Sequence, residues 1–263
     1  MGALRSLPLN ATDSVRVLGS FETGIIDASL LGDVVSRPFE SALPVRSFFA
    51  WPGKRNYEGS WWSSTARRHV GFESLLERDF LMLADHEPDV VGIASQPFAL
   101  LWPKGTAGAR GHVPDFFIRR NDGGGRVVDV RHPDRLSSAQ RQFDLTREAC
   151  ALIGWEYEVF TSFREPFGSN LRWLAGYRQD RFVPPPGAAP VIVEAFSPAT
   201  SLAAGARRAA RALGLDSSVV QAYAMHMLFT GVLHADLDQP LCLDSEMAPA
   251  DSGAGTVPLE AAS

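Results

Sequence analysis

Lysine is almost missing from this chain. Of its 25 basic residues only Lys54 and Lys104 are lysines, so a site that needs an amine has two sources. Cysteine is as scarce. Cys150 and Cys242 are the only two. Their separation fits no metal-ligand spacing, so they read as buried thiols of a reducing compartment. No apolar run approaches the ~20 residues of a membrane span. Only Arg5 precedes Leu7-Pro8-Leu9, and no run there is long enough for a signal peptide. The expectation is a soluble cytoplasmic protein with no membrane contact.

What is present is ordinary globular composition. The 263 residues are 45% hydrophobic and 21% charged, enough for one large domain or two modest ones. The net charge of -5 is unevenly spread. Residues 46–182 hold 19 basic against 17 acidic residues, residues 183–263 hold 3 against 8, and the first 45 hold 3 against 5. The middle is the only basic part, as suits contact with phosphates.

Punctuation divides the chain. Residues 1–45 show no sustained period and read as a loosely ordered arm, with one short strand near Val15–Leu18. Residues 46–66 are aromatic: Phe48, Phe49, Trp51, Tyr57, Trp61 and Trp62. Interleaved with and just beyond them lie Lys54, Arg55, Arg67 and Arg68, candidates for nucleic-acid contact; core capping is the alternative for the aromatics. Residues 73–85 read as an amphipathic helix with Phe72, Leu75, Leu76, Phe80 and Leu83 on one face. Strands follow at Asp89–Ile93 and Pro97–Trp102, and around Asp115 and Asp129. Ser137 or Ser138 can cap a helix running to Ile153, and Gly154 ends it. A strand at Trp155–Phe160 and a helix at Asn170–Arg178 complete an α/β pattern, a mixed sheet with helices on its faces. Pro184-Pro185-Pro186 opens a linker over 183–198. Residues 199–247 read as a small helical module, a winged helix or a plain hairpin. Residues 248–263 have the composition of a disordered tail.

The chemistry concentrates in His112-Val113-Pro114-Asp115-Phe116-Phe117-Ile118 and Val127-Val128-Asp129-Val130-Arg131. Each apolar strand carries an aspartate where an apolar residue would pack better. Carboxylates side by side repel and call for a cation between them. Mg²⁺, with Mn²⁺ as an alternative, lowers the pKa of a bound water and clamps phosphoryl oxygens. Glu77 or Glu73 on the preceding helix can supply a third carboxylate. Arg131, two residues after Asp129, shares its strand face and can hold a phosphate, but it cannot act as a base. Taken singly, each acid also has a structural reading, at a strand start or in an ion pair.

A longer pattern joins these residues. Glu73-Ser74-Leu75-Leu76-Glu77-Arg78-Asp79-Phe80, Asp89-Val90-Val91, Ser95-Gln96-Pro97-Phe98, Pro114-Asp115-Phe116 and Val128-Asp129-Val130-Arg131 together resemble the N-terminal domain of the TnsA family, the endonuclease subunits of heteromeric transposases. The resemblance covers roughly residues 46–182. It implies a restriction-endonuclease-like (PD-(D/E)xK) fold that binds Mg²⁺. Glu77 matches the family's first catalytic glutamate and Asp115 its metal-binding aspartate. Asp129 falls where the family has glutamine or an acid. Arg131 falls on the family's catalytic lysine and departs from it; Lys104 could supply a relocated amine. The resemblance further implies cutting of the 5′ strands at transposon ends, an integrase-type transposase partner, and an ATPase regulator docked on the C-terminal module. A catalytically silent DNA-binding or assembly subunit, and a stand-alone repair or restriction-like nuclease, are the competing readings.

Overall fold

The computed structural model describes residues 8–46, 57–106 and 111–250. The chain divides into two compact units, Met1–Ser162 and Phe163–Ser263. Among the described residues no helix is long and apolar enough to cross a membrane.

The first unit begins with an antiparallel hairpin, β1 (Arg16–Phe21) and β2 (Gly24–Ser29). A second hairpin, β3 (Gly59–Ser63) and β4 (Arg68–Phe72), leads into helix α1 (Leu75–His86). Ser74 caps α1 by accepting from the Glu77 N–H. Then come β5 (Val90–Ser95), β6 (Phe98–Leu101), β7 (Phe116–Arg120) and β8 (Gly125–Val130). Helix α2 (Leu136–Leu152) crosses over to β9 (Glu156–Phe160). The main sheet has the order β5-β7-β8-β9. Its first three strands are antiparallel and β9 runs parallel to β8, the arrangement that needs a crossover helix. β6 leaves this sheet and pairs with β1 in a separate sheet, β2-β1-β6.

Strand pleat explains the packing. Phe116 pairs with Val128, and Phe117 with Val127, so successive residues face opposite sides. On one side Phe80 of α1 stacks on Phe116 at 5.1 Å and tilts against Phe160 at 5.6 Å. The other side builds a core from Phe117, Val127, Phe98, Trp155, Ala149 and Cys150. Phe39 sits at its centre, within 6 Å of the rings of Phe21, Phe98, Phe117 and Trp155.

The second unit contains α3 (Phe167–Leu174), α4 (Ala188–Ala195), β10 (Thr200–Ser201), α5 (Leu202–Leu213), α6 (Ser217–Phe229), β11 (Leu233–Ala235) and β12 (Glu246–Pro249). The strands pair in the order β10-β12-β11. Gly205 brings α5 onto Phe196, where an added Cβ would lie 2.3 Å from the ring.

Five expectations are corrected. Within the expected arm over 1–45, the described residues from 8 onward are not loose: Val17, Leu30, Val34, Phe39 and Ala42 are buried in the first unit's core. The linker over 183–198 contains α4. Pro190 is tolerated there because it is the third residue of the helix, where the N–H has no intrahelical acceptor. Ala248 and Pro249 belong to β12 and are not part of a disordered tail; residues 251–263 lie outside the described residues. Neither Ser137 nor Ser138 caps α2, which continues from a 3-10 turn at Pro133–Arg135. The Ser138 hydroxyl instead donates to the Arg135 carbonyl at 2.9 Å. The first unit also ends at Ser162, short of the expected residue 182.

Candidate active site

The site assembles where α1 begins and where β7 and β8 meet. Asp115 occupies the bend just before β7 and is half-buried. Its Oδ2 accepts the Val130 N–H at 2.7 Å, and its carbonyl accepts the Gln96 N–H at 2.8 Å. Burial pushes the Asp115 carboxyl well above its usual pKa, and the neighbouring charges of Asp129 and Glu77 push the same way. The structure thus brings all three sequence-selected carboxylates into one electrostatic neighbourhood centred on Asp115.

Glu77 has a second duty. Its Oε1 accepts from the Ser74 hydroxyl at 3.0 Å and its Oε2 from the Glu73 N–H at 2.7 Å. With the Ser74 hydroxyl accepting the Glu77 N–H at 3.1 Å, this is a reciprocal capping box. The Ser-x-x-Glu spacing was the signal for it. Burial raises the Glu77 pKa, and Glu73 adds to the rise; the cap's hydrogen bonds and Arg46 oppose it. Each carboxylate oxygen keeps a lone pair beyond the one used in the cap.

Asp129 is 1% exposed. His112 Nε2 lies 3.0 and 2.9 Å from its two oxygens, and the Tyr157 hydroxyl donates to Oδ2 at 2.5 Å. Pleat explains the meeting: Val127 pairs with Tyr157 and Asp129 with Val159 in the parallel ladder, so Tyr157 and Asp129 lean to one face. Burial and then the Asp129 charge drive the Tyr157 pKa far up and that of Cys150 up to about 12. Asp129 is expected as a metal ligand, yet protein donors already reach both of its oxygens. Among the described residues no group of three or more His, Cys, Asp and Glu side chains is arranged to hold a metal ion.

The expected cations are scattered. The Arg131 guanidinium lies 6.0 Å from the Phe143 ring of α2, and its buried Nε has no hydrogen-bond partner among the described residues. Arg68 is a brace: it donates to the carbonyls of Glu40 and of Ile93, the latter at 2.9 Å. Burial lowers its pKa while the Glu40 charge raises it. Arg68 therefore serves the fold. Arg67 takes positive φ in the β3–β4 turn. Lys104 is exposed in a turn beyond β6, its N–H bonded to the Ala11 carbonyl at 3.3 Å. Lys54 and Arg55, with Phe48, Phe49 and Trp51, lie outside the described residues. Trp61 is core, its Nε1 donating to Asp85 at 2.9 Å, while Trp62 is partly exposed and meets the His69 ring edge-on at 5.2 Å.

Sequence reading passed over four residues: His112, Tyr157, Gln96 and Arg46. Gln96 is a non-glycine with φ of 45° and is 2% exposed. Its Oε1 has no hydrogen-bond partner among the described residues. Strained backbone clusters at working sites, and a buried oxygen without a partner calls for a ligand or water. The Gln96-Pro97 pair was the signal, since a residue before proline is already restricted.

Residues 87–162 match the family model described as TnsA-like endonuclease N terminal. That segment is TnsA-like. It spans β5 to β9 and so includes Gln96, His112, Asp115, Asp129, Arg131 and Tyr157. The match begins after α1, leaving Glu77 and Arg46 outside it, and is shorter than the resemblance expected over 46–182. No curated protein matches the chain.

Proposed function

We propose that this TnsA-like chain is the Mg²⁺-dependent endonuclease subunit of a heteromeric transposase. It would cut the 5′ strands at transposon ends while an integrase-type subunit cuts and joins the other strands. One observation carries the reading. Asp115 sits in a TnsA-like segment with its carboxyl raised by burial and by two more carboxylates, a charge imbalance that a divalent cation relieves. The donor set fits Mg²⁺, which keeps several waters and takes one or two carboxylates plus substrate phosphates. Asp115 and Glu77 would hold it, and the Gln96 Oε1 is an oxygen without another partner among the described residues. When bound, the ion supplies an acidified water and neutralises phosphoryl charge. The chain's own part is to hold the carboxylates: the Val130 N–H fixes Asp115, and the cap of α1 fixes Glu77.

The helix–strand–helix–helix–strand–strand order over α4 to β12, with strand order β10-β12-β11, supports reading this module as a winged helix. Its exposed acids Asp236, Asp238, Asp244 and Glu246 suit a protein partner, the ATPase regulator, better than DNA.

Cleavage of transposon-end DNA by the full chain with its transposase partner and Mg²⁺ tests the proposal. Asp115→Asn should lower the rate by roughly 10³-fold; a variant that cuts like the parent overturns it. A second reading, a silent assembly subunit, draws on the engaged oxygens of Asp129 and on Arg131 lying over Phe143. It requires a parent that cuts nothing and an Arg131→Lys variant that gains activity.

A further inference from the structure

Nuclease chemistry on a phosphate needs positive charge beside the acids, and Arg131 turns its guanidinium toward Phe143. Another arginine is at hand. Val45 N–H donates to the Gln96 carbonyl at 3.0 Å, and Gln96 N–H donates to the Asp115 carbonyl at 2.8 Å. Two main-chain bonds therefore tie Val45, the residue before Arg46, to the backbone of Asp115. From there Arg46 reaches Glu73 Oε2 at 2.8 Å, and the Glu73 N–H is the group bonded to Glu77. Arg46 is thus bonded to the residue whose N–H holds the Glu77 carboxylate. Its side chain is 43% exposed, open to a ligand from solvent. An ion pair so exposed is weak, whereas a guanidinium engages two phosphate oxygens at once through its planar fork.

We propose that Arg46 is the phosphate-binding cation of this site: its guanidinium leaves Glu73 for the non-bridging oxygens of a DNA phosphate that the divalent cation proposed for Asp115 and Glu77 would hold. It takes the charge-stabilising place expected of Arg131. The proposal rests on reading the site as a nuclease centre. It explains how a phosphate can be neutralised there while the Arg131 guanidinium lies over Phe143.

The test uses the full chain and two readouts. In Ca²⁺, binding of a DNA duplex of arbitrary sequence is followed by anisotropy across a salt series. Arg46→Ala should flatten the log–log salt slope by about 0.9, the loss of one phosphate contact. In Mg²⁺ with the transposase partner, cleavage of transposon-end DNA by Arg46→Ala should fall roughly 10²-fold, mainly in kcat, with Arg46→Lys recovering part of the rate. An Arg46→Ala variant that keeps the parent's slope, or the parent's cleavage rate, overturns the proposal. A parent that cuts no DNA sinks the nuclease reading instead, and the salt slope then decides the Arg46 contact by itself.

Discussion

Asp115 carries a charge that folding penalises. Its carboxyl is raised in the folded chain, so between the unfolded pKa and the higher folded one the native state binds more protons. Stability then falls as pH rises through that window and stays low above it. Two outcomes follow. Asp115→Asn keeps an oxygen for the Val130 N–H but loses the charge, so it should melt higher than the parent at neutral pH without metal. Mg²⁺ or Mn²⁺ should raise the parent's melting temperature and not the variant's. Thermal melts across pH, with and without the ion, check both. The thiols respond differently. Cys150 is buried, with its pKa pushed up to about 12 by burial and the Asp129 charge. Cys242 is exposed and its pKa is lowered by the Asp244 N–H and the Ser245 hydroxyl. Alkylation of the native chain at pH 8 should label Cys242 alone, read by peptide mass, and labelling of Cys150 should appear only on denaturation.

Elements show where side chains bind structure together. Asp85, near the end of α1, accepts from Trp61 Nε1, the Ser63 hydroxyl and the N–H groups of Ser64 and Thr65. It pins the β3–β4 turn to the helix. Asp85→Ala leaves those donors without an acceptor, at ~1–3 kcal/mol for each buried one, and should cost at least ~3 kcal/mol in urea unfolding. Ser74→Ala removes one side of the capping box and should cost about 1 kcal/mol. Periodicity made α1, the β7–β8 hairpin and β9 legible in the sequence, because each shows its apolar face within a few residues. It could not reveal that Arg68 braces two carbonyls, or that Asp129 meets His112 and Tyr157. Those contacts join residues 28, 25 or 17 apart in the chain, and no local pattern encodes them. Helix α4 was hidden by the prolines around it.

At the scale of the molecule, the first unit owns its core. Phe39, Phe98, Phe117, Val127 and Trp155 all fall before residue 163. A fragment ending at Ser162 should therefore fold cooperatively and keep the Asp115-dependent metal protection; a fragment beginning at residue 46 should not, since it lacks β1, β2 and Phe39. Far-UV circular dichroism melts of the two fragments distinguish these outcomes. The first 45 residues misled sequence reading for a physical reason. Val17, Leu30, Val34 and Phe39 are irregularly spaced, and the second strand that pairs with β1 is β6, some eighty residues later. The carboxylates were legible because acids stand out within apolar strands; the arginine beside them was not, because nothing near Arg46 in sequence points to Asp115.

The run Val45–Gln96–Asp115 is joined by main-chain bonds alone. Such bonds use groups that nearly every residue type carries. The side chain at position 46 can therefore change while the main chain that holds it beside the site stays in place. A cation for the site can thus come from a distant loop without redrawing the sheet.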